Sequence, residues 1–175
     1  MLQKAIFLDR DGVINKELNY VFKIQHFVFI KGVFETCKYL INLGYKIIII
    51  TNQSGIARGY YSEQDFELLT NWMKNEFKKN GIIILDVIHC PHLPEANCQC
   101  RKPKPGMLIN ARDKHGIDMD SSWLIGDKED DIVAANHSNI SNTILVKSGH
   151  KINQNLSKAK YILDSIIDSK KVITN

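Results

Sequence analysis

"KIIIITNQSG", residues 46–55, is the stretch that decides the architecture. Four consecutive isoleucines after Lys46 are β-branched and apolar on both faces. An edge or half-solvated strand would alternate apolar with polar, so Lys46 to Ile50 reads as a central strand of a parallel sheet. Working outward, the same kind of segment recurs at "AIFL" (5–8), "IIILDVIHC" (82–90), "SWLIG" (122–126) and "NTILV" (142–146). Between them lie helical patterns. Residues 33–43 carry apolar side chains at Val33, Phe34, Cys37, Leu40 and Ile41 and stop at Gly44. Ser62 begins a helix running to about Lys79, before Gly81. Shorter helices are expected at 106–115 and 130–136, and a last one near 156–169, with Ile162, Leu163, Ile166 and Ile167 on its apolar side. Residues 12–31 show no period and are read as a flap. Strands alternating with helices give an α/β fold, a Rossmann-like three-layer sandwich with a mostly parallel central sheet.

The chain has 175 residues, which suits a single domain over 1–175, and 44% hydrophobic and 24% charged residues, ordinary for a globular protein. No apolar run approaches the ~20 residues of a membrane span, and the N-terminus lacks the apolar region of a signal peptide. The expected setting is cytoplasmic and reducing, without disulfides and without a membrane partner. Net charge is +4, but the lysines are scattered and not interleaved with aromatics, so no nucleic-acid face is expected. Short sheet edges are read as a monomer.

In parallel sheets, ligands bind beyond the carboxyl ends of the strands, at the point where strand order reverses. The residues there are Asp9 and Asp11, Thr51 and Asn52, Cys90 and His92, and Gly126 and Asp127. Asp9 and Asp11 repel each other unless a divalent cation or a shared proton neutralises them; an acidic turn opened by Gly12 is the alternative. Thr51, Asn52 and Gln53 can donate to phosphate oxygens or simply cap a turn. In "RKPKPG" (101–106), two prolines stiffen a loop bearing Arg101, Lys102 and Lys104. Asp127, Lys128 and Asp131 open the helix after the fourth strand, where acidic residues also favour a helix start.

"CPHLPEANCQCRKPKPG" (90–106) holds three of the four cysteines. Cys90-x-His92 and Cys98-x-Cys100 supply three thiolates and an imidazole, a ligand set for a closed, tetrahedral structural zinc. A redox pair would more usually be C-x-x-C, and free buried thiols fit poorly in a loop with proline and glutamate. Zinc in the loop at 89–105 would fix its shape and deliver Arg101 and Lys102. Cys37, on the apolar side of a helix, reads as core.

Acid, hydroxyl, cation and acid after successive strands, as Asp9-Arg10-Asp11-Gly12, Thr51, Lys102, and Gly126-Asp127-Lys128 with Asp131, resemble the four motifs of the haloacid dehalogenase superfamily of phosphatases. The resemblance runs from about residue 4 to 146. It implies Mg²⁺-dependent phosphoryl transfer with Asp9 as nucleophile, Asp11 as general acid and base, Thr51 and Lys102 on the phosphoryl oxygens, and Mg²⁺ on Asp9, the Asp11 carbonyl and Asp127. No interval between the motifs can hold a large cap domain. With "TNQSGIARGYY" and the zinc loop, the chain resembles the superfamily's zinc-loop subgroup, which acts on heptose bisphosphates and histidinol phosphate. That implies a small sugar bisphosphate as substrate, contacted by Glu17, Leu18, Asn19, Tyr20, Thr51, Asn52, Gln53, Ser54, Arg101, Lys102 and Lys128. Rival readings are a histidinol-phosphate phosphatase, a phosphatase of nucleic-acid ends and a non-catalytic zinc-stabilised binding module.

Overall fold

A computed structural model describes residues 2–174. Its centre is the isoleucine strand. β2 (Lys46–Asn52) pairs in parallel with β1 (Gln3–Leu8) on one side and β3 (Ile84–Cys90) on the other. β1 pairs on its other side with β4 (Ile117–Gly126), followed by β5 (Asn142–Val146) and β6 (Tyr161–Leu163). The order is β3-β2-β1-β4-β5-β6, all parallel. The run of four isoleucines is explained by its place. Ile47 and Ile49 enter the core under α1 (Val33–Asn42) and α2 (Glu63–Lys79). Ile48 and Ile50 enter the opposite core under α3 (Gly106–His115) and α4 (Glu129–Asn136). Each such side chain contributes about 1.5–3 kcal/mol of burial.

The helices start and stop for local reasons. Ser62 and Asp65 form a capping box at the start of α2, and Lys78 and Lys79 complement its C-terminal end. No helix among the described residues is long and apolar enough to cross a membrane.

Two parts of the chain differ from expectation. Residues 12–31 are irregular, but they form an anchored strap. Val13, Ile14, Val21, Phe27 and Ile30 are buried in the α1/α2 core, while Leu18 and Tyr20 at the tip are exposed. Isolated bridges from Asn15 to Asp11 and Phe29 hold the base of the strap.

The expected C-terminal helix at 156–169 is not formed. The segment instead makes a 3₁₀ turn at Gln154–Leu156, strand β6 and a 3₁₀ helix at Ile166–Lys171. β5 would otherwise expose an unpaired edge next to the site. Tyr161 and Leu163 pack on one face and Ile162 on the other, which is the period of a strand. Ile166 is fully buried in the α1/α2 core.

Candidate active site

After β1 the chain goes out to β2 and β3, then returns to β4 on the other side of β1. The carboxyl ends of β1 and β4 therefore flank a crevice. Asp9 follows β1, its N–H bonded to the Ile125 carbonyl of β4 at 3.0 Å, and Asp127 follows β4.

Lys102 reaches this crevice from the loop before α3. It is 3% exposed, and its ammonium lies 2.9 Å from Asp9 Oδ1, 2.6 Å from Asp131 Oδ1 and 3.1 Å from the Ile50 carbonyl oxygen. Asp131 Oδ2 accepts the N–H groups of Asp127 and Lys128 at 3.2 and 3.0 Å. Gly126 lets this carboxylate in; a Cβ there would stand 2.3 Å from the Asp131 Cβ.

Oxygens of Asp9, Asp127 and Asp131 converge within 4.8 Å. Three buried carboxylates thus face one buried ammonium. Burial pushes the Asp9 carboxyl well above its usual range; Lys102 opposes the shift, while Asp131 and Asp127 add to it. Burial works against the Lys102 ammonium, but Asp131 and Asp9 outweigh it and raise its pKa. Asp127 Oδ1 is buried with no partner. Hard oxygens, surplus negative charge and an unpartnered carboxylate oxygen fit a divalent cation such as Mg²⁺.

Asp11 turns away from this cluster. Arg10, buried beside it, donates from Nε and Nη2 at 3.1 Å each, Asn15 Nδ2 donates at 2.9 Å and Gln53 Nε2 at 3.1 Å. Arg10 also bonds the Val21 carbonyl, so one guanidinium ties the strap to the acid. Gln53 links Asp11 to Thr51 Oγ1 at 2.8 Å, and its own oxygen accepts from the Tyr61 hydroxyl. Asn52 uses both ends of its amide on the main chain of Lys102, each at 3.1 Å, which clasps β2 to the cationic loop.

Two adjoining cavities result. The smaller, about 60 Å³, is walled by Asp9, Asp11, Thr51, Lys102, Asp127 and Lys128. The wider, about 250 Å³, is lined by Glu17, Asn19, Tyr20, Gln53, Ser54 and Arg101, among others. Leu18 is 53% exposed and lines neither cavity. Asn19 and Tyr20 have positive φ, 57° and 55°, and this tight turn leaves Leu18 outside. Lys104 also leaves the site, donating to the Asn97 carbonyl at 2.9 Å.

Donor atoms of Cys90, His92, Cys98 and Cys100 lie within 4.8 Å of one another. The Sγ atoms are 3.2–3.6 Å apart, and His92 Nδ1 is 3.3 Å from Cys100 Sγ. Tetrahedral thiolates at about 2.3 Å from a zinc would stand about 3.8 Å apart, so a small expansion admits the ion. His89 points elsewhere, bonded to Glu63 at 2.8 Å.

A protein of Photorhabdus laumondii is 52% identical over 154 residues, covering 84% of each chain, and is named D-glycero-alpha-D-manno-heptose-1,7-bisphosphate 7-phosphatase. A Vibrio cholerae protein named D-glycero-beta-D-manno-heptose-1,7-bisphosphate 7-phosphatase is 46% identical over 176 residues, covering 96% of this chain and 95% of its own. A family model described as HAD-hydrolase-like matches residues 99–170. The chain belongs to the HAD-like hydrolases. As a member of that family it also shares its fold with a solved D,D-heptose 1,7-bisphosphate phosphatase of B. bronchiseptica, at TM-score 0.85 and 24% identity over 97% of both chains, a structure complexed with magnesium and phosphate. This HAD-like hydrolase has no large cap over the crevice among its described residues, so both cavities open to solvent between the strap, the 53–61 loop and the cysteine loop.

Sequence reading missed four participants: Arg10 and Asn15 on Asp11, Tyr61 on Gln53, and His150 on Asp127. Arg10 carried a usable signal, since a charged residue next to a buried strand end needs a partner. His150 sat among scattered lysines and carried none.

Proposed function

We propose that the protein hydrolyses the 7-phosphate of D-glycero-D-manno-heptose 1,7-bisphosphate, a step in the supply of nucleotide-activated heptose. Relatives named for either anomer are similarly close, so the reading is of the bisphosphate without a preferred anomer. The observation that carries it is the pairing of cavities. A phosphoryl-sized pocket ending on Asp9 and Lys102 opens into a wider one lined by two guanidiniums, Arg58 and Arg101, with Lys128 between the two cavities.

Phosphoryl transfer needs positioning and charge neutralisation. In this reading the Asp9 carboxylate attacks phosphorus in line, and the P–O bond to C7 breaks as a phosphoaspartate forms. Asp11 gives its proton to the departing sugar oxygen and then takes one from the water that cleaves the phosphoaspartate. Thr51 and Lys102 hold the equatorial oxygens, with Lys128 beside them. Asp9, the Asp11 carbonyl and Asp127 would hold Mg²⁺, which neutralises phosphoryl charge when bound. Asp131 keeps Lys102 and the main chain of 127–128 in place.

Glu17, Asn19, Tyr20, Gln53 and Ser54 contact the sugar, and Arg101 takes the 1-phosphate. Cys90, His92, Cys98 and Cys100 would hold a structural Zn²⁺ that fixes the loop carrying Arg101, whose Nη1 donates to the His92 carbonyl at 3.2 Å. The whole chain acts as one phosphatase domain, with the strap at 12–31 and the zinc loop at 89–105 as its specificity elements.

A steady-state comparison tests the substrate. The bisphosphate should exceed histidinol phosphate in kcat/KM by orders of magnitude, because Arg101 attracts a second phosphate and repels an amine. Arg101→Ala should erode most of that margin while harming a small aryl phosphate much less. A better rate with histidinol phosphate, or an equal loss on every substrate, refutes the assignment.

A further inference from the structure

The two carboxylate oxygens of Asp127 are treated differently. Oδ2 accepts the main-chain N–H of His150 at 2.9 Å and lies 2.6 Å from His150 Nδ1. A carboxylate oxygen only accepts, so Nδ1 carries the proton. Oδ1 has no partner at all, although it is buried.

The loop 147–150 is built to press on Oδ2. A Cβ at Gly149 would stand 2.0 Å from that atom, and one at Gly12 2.3 Å, so only glycine lets the chain pass on either side. Ser148 Oγ closes the loop by donating to the Gly12 carbonyl at 2.7 Å. The His150 ring is 36% exposed and walls both the phosphoryl pocket and the wider cavity.

We propose that His150 is a positioning residue for the metal-holding carboxylate: its N–H and Nδ1–H clamp Asp127 Oδ2, so that Oδ1 alone is offered to the cation. This rests on the divalent-cation reading given above. A carboxylate free to rotate must be ordered when the ion binds, and the clamp supplies that order beforehand. It also blocks the bidentate mode. Mg²⁺ demands near-octahedral geometry, whereas Ca²⁺ accepts bidentate carboxylates, so the clamp favours the smaller ion.

The test uses the full-length, zinc-loaded protein without substrate. Mn²⁺ is titrated and the free ion followed by electron paramagnetic resonance, with Mg²⁺ and Ca²⁺ measured by competition. Three variants are compared: His150→Ala, His150→Asn, whose amide N–H stands close to the position of Nδ1, and His150→Gln, whose longer chain carries the amide past it. His150→Ala and His150→Gln should weaken Mn²⁺ and Mg²⁺ about 10–100-fold and Ca²⁺ much less, while His150→Asn stays within a few-fold of wild type. If the alanine variant does not fold, the asparagine–glutamine contrast decides. Unchanged Mn²⁺ affinity in His150→Ala, or an asparagine variant as weak as glutamine, overturns the proposal. Wild-type protein that binds no Mn²⁺ overturns the cation reading itself, a separate result.

Discussion

Asp9 sits where a charge is least welcome and most useful. Burial and two neighbouring carboxylates raise its pKa, and Lys102 only partly offsets them. Asp9→Asn keeps the shape and removes the attacking charge, so turnover should fall by more than about 10⁴-fold while the fold and zinc content persist. Asp11→Asn should cost about 10²–10⁴-fold, most for sugar alkoxide leaving groups. Single-turnover rates on the sugar bisphosphate and on an aryl phosphate measure both; a near-normal rate in Asp9→Asn removes the phosphoaspartate. Asp9 and Asp127 were legible because each directly follows a strand, Thr51 because it lies at the carboxyl end of the isoleucine strand, and Lys102 because two prolines just after it stiffen its loop; backbone direction aims them at one crevice. What the hydrogen bonds do was not legible. That Gln53 braces Asp11 and Asn52 grips the Lys102 main chain depends on loops meeting in space.

Elements place these residues, and two joints can be tested. The loop from Cys90 to Cys100 has little apolar anchorage beyond its cysteines, so metal should supply its order. A Cys98→Ala Cys100→Ala double variant should contain no zinc by elemental analysis and should lose preference for the bisphosphate, since Arg101 loses its tether; full zinc in that variant excludes the site. The second joint is Asp86 on β3, paired with His115 at 2.7 Å and Lys114 at 2.8 Å on α3. Burial raises the Asp86 pKa, but the hydrogen bonds from His115, Lys114 and the Val87 N–H, with the charge of Lys114, prevail and hold it below the usual value. A lowered folded pKa means stability that is present above the unfolded value of about 3.9 and lost as pH falls through the folded one. Asp86→Asn should therefore cost about 0.5–1 kcal/mol in urea unfolding at pH 7, and the gap to wild type should close at acid pH. A gap that widens on acidification contradicts the pairing. Five strands and four helices were readable because apolar runs and caps are local. β6 was not, because three apolar residues in a row satisfy either period, and only the open edge of β5 selects the strand.

At the scale of the molecule, the crevice is a fault that ligand repairs. β1, β4 and α4 bring three carboxylates together where the two halves of the sheet diverge, and only one ammonium balances them. Because the Asp9 pKa is raised in the folded state, folding favours its protonated form. Its contribution is full below the unfolded value of about 3.9 and is lost as pH rises through the folded value, so the metal-free protein should weaken toward neutrality. Mg²⁺ competes with that proton and stabilises whatever state binds it by RT ln(1 + [Mg²⁺]/Kd), about 2.7 kcal/mol at 100 times Kd. The rise in Tm on adding Mg²⁺ should thus grow as pH is raised from acid to mildly alkaline values, with zinc content held constant. Asp9→Asn has no proton to displace and one fewer ligand oxygen carrying charge, so its gain should be smaller and nearly independent of pH. Calorimetric scans of both proteins across that range provide the check. A Mg²⁺ effect that shrinks with rising pH, or that survives intact in Asp9→Asn, would mean the ion stabilises the fold somewhere other than the ends of β1 and β4.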